Sequence, residues 1–142
     1  MKISARNIFK GVIGAIKSGT VNAEVTVALS GNDQLVAVIT QESVKTLGLA
    51  VGAQVVALVK APWVMLMTEP GSIRLSARNC LAGTVKSVEI GAVNAEVALT
   101  LPGGAEITAI VTRDSVYELG LKPGVAATAV IKASNVILGV TD

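Results

Sequence analysis

Two tandem all-β barrels, each with one short helix, are the fold this sequence predicts, and three observations support it. The chain is one unit written twice. Its apolar residues are mostly Val, Ala, Ile and Leu, with one Phe, one Trp and one Tyr, so a core must be built from small and β-branched side chains that favour sheet. Each unit also reads as short alternating runs separated by turn residues.

The repeat is visible when the 142 residues are laid on themselves with a shift of 72: the copies align without a gap, with about 26 identities over 70 positions. Ser4-Ala5-Arg6-Asn7 returns as Ser76-Ala77-Arg78-Asn79, and Val21-Asn22-Ala23-Glu24-Val25 returns as Val93-Asn94-Ala95-Glu96-Val97. Thr68 to Ser72 is the turn-rich stretch between the copies, which places the expected boundary there, giving units 1–70 and 71–142.

Within a unit, Asn22 to Leu29 and Leu35 to Ile39 form an expected hairpin around Ser30-Gly31-Asn32-Asp33, and Pro102-Gly103-Gly104 turns the second copy. Thr40 and Thr112 stand as helix N-caps, with Glu42 or Asp114 in the first turn and Gly48 or Gly120 as the stop, which predicts a helix of about two turns. Val55 to Val59 and Ala127 to Ile131 are the next strands. About five strands and one helix in 70 residues point to a small closed barrel of the OB type.

Composition narrows the function. Hydrophobic residues are 51% of the chain and mean hydropathy is +0.66, yet the longest uncharged apolar stretch, Ala61 to Met67, is far too short to cross a bilayer. Lys10 interrupts what would have to be a signal core, so a soluble, unprocessed, cytoplasmic chain without membrane contact is expected. A net charge of +2 and 2% aromatics argue against a nucleic-acid surface. The absence of His removes the commonest general acid/base, and an enzyme using Glu24 and Glu96 as paired carboxylates finds no support around them. Glu24 and Glu96 read as solvated strand residues. Cys80, the single cysteine, reads as a buried small hydrophobe. Units this small, with no disulfide and no zinc ligand set, are expected to oligomerise.

Polar residues at element ends remain as ligand candidates. Thr40 with Ser43, and Thr112 with Ser115, lie on one side of a helix start and cap it or complete an anion cradle. Arg6 and Arg78 offer a fork of donors, and Lys60 and Lys132 end apolar strands as snorkelling charges or as ligands. This inventory suits a tetrahedral dianion, whose oxygens only accept hydrogen bonds. Asn22 and Asn94 follow Gly19-Thr20-Val21 and Gly91-Ala92-Val93, whose backbone N–H groups would form a second type of anion nest. The alternatives are an OB-type oligonucleotide- or oligosaccharide-binding module and a structural oligomer without ligand.

The SARN start, GxVNAEV about fifteen residues later, the Thr-x-x-Ser helix start and the KAPW or KASN strand end together resemble the Mop domain, and two copies resemble the di-Mop molbindins over essentially the whole chain. The resemblance implies OB-like Mop barrels that bind molybdate, and also tungstate, for molybdenum storage or homeostasis in the cytoplasm. It further implies rings of six Mop domains, here a homotrimer with anions held between domains and no bare metal cation. One class of site falls on Ser4, Arg6, Thr40, Ser43, Lys60 and Ala61, with its equivalent on Ser76, Arg78, Thr112, Ser115, Lys132 and Ala133. Some members carry Ser directly after that Lys; with Ala61 and Ala133 here, a backbone N–H would have to serve. A second class falls on Gly19, Val21 and Asn22, and on Gly91, Val93 and Asn94. Related regulators and transporter ATPases attach such domains to a helix-turn-helix or a P-loop module, neither of which is expected in this chain.

Overall fold

The computed structural model describes residues 1–69, 71 and 73–141; part of the expected boundary, Pro70 and Ser72, lies outside the described residues. The first half supplies β1 (Asn7–Ser18), β2 (Asn22–Ala28), β3 (Gln34–Thr40), α1 (Gln41–Leu47), β4 (Gln54–Val59) and β5 (Met65–Met67). The second supplies β6 (Asn79–Ile90), β7 (Asn94–Thr100), β8 (Glu106–Thr112), α2 (Arg113–Leu119), β9 (Ala126–Ile131) and β10 (Ile137–Gly139). A one-turn 3₁₀ helix follows each lysine, at Ala61–Trp63 and Ala133–Asn135.

The hairpins, the helices and the strands before each lysine stand where the sequence puts them. Both helices are short because their ends are chemically specified. Thr40 Oγ1 accepts from Ser43 N–H at 3.0 Å and Thr112 Oγ1 from Ser115 N–H at 3.1 Å, while Gly48 and Gly120 take left-handed φ values of 65° and 64° that halt the helix.

All strand pairs are antiparallel, and the two sheets run β10-β4-β1-β2-β3 and β5-β9-β6-β7-β8. Each sheet therefore contains one strand from the other half. β10 also lies against β3, and β5 against β8, so each sheet curls until its ends meet. A bulge between Ile13 and Ala15 in β1, repeated between Val85 and Ser87 in β6, bends the long strand so that its first half pairs with β4 or β9 and its second with β2 or β7. With no second layer, curling is how a sheet this size buries one face. The inward residues of the first sheet, among them Ile13, Val25, Val27, Leu35, Ala37 and Val59, are essentially inaccessible.

Asn7 and Asn79 sit in the inward phase of their strands and are 2% and 1% exposed. The Asn79 amide donates to Val36 C=O (2.8 Å) and accepts from Val36 N–H (2.7 Å); Asn7 does the same with Thr108. Each half thus satisfies the free backbone edge of the other half's last hairpin strand. At the hairpin tips Gly103 N–H donates to Asp33 Oδ2 (2.9 Å) and Ser30 Oγ donates to Gly103 C=O (3.0 Å). A Cβ on Gly103 would fall 2.2 Å from Ser30 O, so only glycine permits this approach.

The expectation for Cys80 is corrected: it is exposed, because it follows the inward Asn79 on a strand whose outer face alternates. No helix among the described residues is long and apolar enough to cross a membrane.

Asn79→Ala removes both bonds and orphans the Val36 amide and carbonyl, so urea titration should show a loss of about 2 kcal/mol. Gly103→Ala should lose at least about 1 kcal/mol by overpacking the hairpin contact.

Candidate functional site

The strand exchange decides where the polar candidates go. The one-turn helix Ala133–Asn135 packs on β3 of the first sheet, and Ala61–Trp63 on β8 of the second. The lysine end of one half is therefore laid against the hairpin of the other. At the first seam, a cavity of about 570 Å³ is lined by Ser76, Arg78, Lys132, Ala133 and Ser134 from the second half, with Val38 from the first. Apolar walls from Met65, Leu66 and Met67 of the first half and Leu75, Ala77 and Val130 of the second complete it.

Val38 connects this cavity to the first half's candidates. Thr40 lies two residues further along β3 and so on the same strand face, while the register pairs Val38 with Glu24 and Thr40 with Asn22. Arg78 donates to Glu24 across the seam, and by the same logic Arg6 donates to Glu96, which pairs with Ile110 on β8. Both glutamates are only partly exposed, which corrects their reading as solvated strand residues. They lie on the outer face of β2 or β7, and the other half covers that face.

These ion pairs change the electrostatics of the candidate site. The Glu96 hydrogen bond, then its charge, holds the Arg6 proton more firmly than usual. A guanidinium bonded to a carboxylate keeps further N–H donors but contributes little net charge, and among the described residues neither Lys60 nor Lys132 has an ion-pair partner. Thr40 Oγ1 and Ser43 Oγ are 2.7 Å apart, and Thr112 Oγ1 and Ser115 Oγ 2.6 Å. One hydroxyl hydrogen is consumed within each pair and the other remains to donate outward. The structure thus supports the capping role of these residues and leaves one donor per pair.

The two halves of each proposed residue set are dispersed. Ser76, Arg78, Lys132 and Ala133 line one cavity, whereas Thr112 and Ser115 belong to the other seam with β8. At that other seam Arg6 meets Glu96 and the Ala61–Trp63 turn packs on β8; Ala61 is buried, and the Lys60 ammonium lies 5.4 Å from the centre of the Trp63 ring. The expected N–H nest at Gly19 and Gly91 is corrected in part. Each N–H is taken by a tight turn, donating at 2.8 Å to Asn22 C=O and Asn94 C=O. Val21 and Val93 project at these tips, 71% and 74% exposed, and Gly91 and Asn94 line a 410 Å³ depression with Glu89 and Glu96.

Three features escaped the sequence reading. Asn7 and Asn79 belong to a repeated motif and fall in the core phase of a strand, a signal that was available. Glu24 and Glu96 were visible as repeated acids, but their partners were not. Ser134 is unrepeated, because Pro62 occupies its place, so comparison of the copies passed over it.

Comparison with known proteins agrees with this architecture. Residues 3–66 and 75–138 each match the TOBE domain. This chain belongs to the TOBE-domain family. Among TOBE-domain proteins, the molybdenum transport protein ModE of Azotobacter vinelandii is 50% identical over 140 residues, covering 99% of this chain and 52% of that protein. The molybdenum-pterin-binding protein MopA of Rhodobacter capsulatus is 46% identical over 138 residues, covering 97% of this chain and 52% of its own. The chain spans about half the length of these curated relatives. A crystal structure of the cytoplasmic molybdate-binding protein ModG, in a form with molybdate bound, is 65% identical with a TM-score of 0.95, covering 99% of this chain and 100% of that one.

Thr40→Ala and Thr112→Ala should each cost about 1 kcal/mol through loss of the N-cap, and Thr→Ser should restore it, read by thermal denaturation.

Proposed function

We propose that this TOBE-domain protein is a cytoplasmic binding protein for molybdate, and also tungstate, that stores the oxyanion without transforming it. Each repeat, 1–70 and 71–142, serves as one Mop domain. The observation that carries this reading is the seam cavity, whose lining includes Lys132, Arg78, Ser76 and Ser134 among largely apolar residues. Low-polarity walls strengthen charge-assisted hydrogen bonds. The 65% identity to ModG over nearly the whole chain supports the same ligand class.

The energetics are sufficient. A micromolar site needs about 8 kcal/mol, and charge-assisted hydrogen bonds contribute roughly 1.5 to 3 kcal/mol each, so five to seven donors suffice after ordering costs. Ser76 or Ser4, Arg78 or Arg6, and Lys132 or Lys60 supply donors from one half. The spare hydroxyl of Thr40 with Ser43, or Thr112 with Ser115, supplies one from the other, and Ala133 or Ala61 offers backbone. Protonated phosphate is disfavoured because its O–H finds few acceptors, and Glu24 and Glu96, which could accept, are already held by the arginines. The tips at Gly19, Val21 and Asn22, and at Gly91, Val93 and Asn94, form the second class of site, built from Asn side chains rather than the glycine N–H groups.

Association as a homotrimer of six Mop domains is part of this proposal. Ile8, Leu58 and Ile137 are register neighbours across β1, β4 and β10, and Cys80, Val130 and Met65 repeat the row on the other sheet. Ile8, Ile137 and Met65 are 43%, 50% and 52% exposed, apolar surface suited to burial between chains.

Titration calorimetry with sodium molybdate should give micromolar or tighter binding, and Lys60→Ala combined with Lys132→Ala should weaken it at least tenfold with the sedimentation coefficient unchanged. Wild-type protein that releases no heat, or a double variant that binds as wild type, would sink the reading.

A further inference from the structure

The internal repeat breaks inside the segment that carries each lysine. Lys60-Ala61-Pro62-Trp63 stands where the second half has Lys132-Ala133-Ser134-Asn135. The backbones are alike: both segments form a one-turn 3₁₀ helix, and Lys60 and Lys132 have φ/ψ of −69°/136° and −65°/133°. Trp63 N–H donates to Lys60 C=O and Asn135 N–H to Lys132 C=O, both at 2.9 Å. The difference between the seams is therefore one of side-chain chemistry on a common frame.

That chemistry is unequal in two respects. Ser134 lines the seam cavity beside Ser76, Arg78 and Lys132, and it carries both a hydroxyl and a backbone N–H. Pro62 at the matching position has neither donor. In addition, the Lys60 ammonium sits over the Trp63 ring, an attraction it must share or surrender to serve an anion, whereas the matching residue beside Lys132 is Asn135.

We infer that the two pseudo-equivalent oxyanion sites of one chain are graded: the site built on Lys132 and Ser134 fills first, and the site built on Lys60 fills later, with Trp63 holding its lysine back. Ser134 is a ligand of the tight site in the place where Ala133 offers no hydroxyl, and Trp63 sets the affinity of the weak one. The inference rests on the oxyanion reading above. A chain with graded sites retains one anion at low supply and exchanges the other as supply rises, a useful property in a store. One missing charge-assisted donor corresponds to about tenfold in affinity, and release of a partly exposed cation from an aromatic face to a few-fold more.

Trp63 is the only tryptophan and its ring lies against Lys60, so a change in its fluorescence reports chiefly on the Lys60 side. The full chain is titrated with sodium molybdate, with heat and tryptophan emission recorded in parallel. The expected result is an early heat step with unchanged emission, then a later step in which emission moves. Ser134→Ala should weaken the early step about tenfold and leave the emission-linked step in place. Pro62→Ser with Trp63→Asn should bring both steps within about threefold of one another by calorimetry. Heat and emission advancing together from the first addition, or a Ser134→Ala isotherm superimposable on wild type, would overturn the grading while leaving oxyanion binding intact. Absence of heat from the wild type would remove both.

Discussion

Each barrel is finished by the other half of the chain, and the rest of the structure depends on that exchange. Four antiparallel strands from one half leave β4 or β9 with an open edge and β3 or β8 with unpaired backbone. Strand β10 or β5 crosses over to pair the first, and the buried amide of Asn79 or Asn7 satisfies the second at Val36 or Thr108. An edge left open would be a site for association with other chains, and an orphaned backbone pair beside the core would be costly. The reciprocity makes the halves one cooperative body, consistent with small cores that would be marginal alone.

The same exchange makes the candidate site composite. A lysine that closes one half's barrel is carried by the chain directly into the seam, where it meets the outer face of the other half's hairpin. The arginines reach the glutamates on that face, so the pairs Arg78–Glu24 and Arg6–Glu96 align the seam while consuming much of the guanidinium charge. Among the described residues, the lysine at the seam has no carboxylate partner, and it stands near hydroxyls and apolar walls. On the proposed reading, such a site would favour a doubly charged acceptor that can be wrapped by donors.

Much of the fold was legible because it is written locally. Thr40 and Gly48 delimit α1 by capping chemistry, and the Ser30–Asp33 turn marks the hairpin. The exchange of β5 and β10 was not legible. Met65–Met67 and Ile137–Gly139 occupy matching places in the repeat, and the pattern of a strand is the same whether it pairs within its own unit or across to its twin. Cys80 was misread for a related reason: one residue in a short strand shows which phase it occupies only when a neighbour such as Asn79 is known to be buried.

For the site, residue types were legible and groupings were not. Ser4, Arg6, Thr40, Ser43 and Lys60 were recognisable as a repeated donor set, but repetition says only that a residue recurs, not which copy it faces. Sequence by itself determined the doubled unit, its strands and helices, the family resemblance and the inventory of donors, because these follow from local periodicity, capping and composition. Tertiary structure alone decided that each barrel borrows a strand, that arginine meets glutamate across the seam and that Ser134 joins Lys132, because these contacts join residues tens of positions apart through a pairing that local pattern does not distinguish.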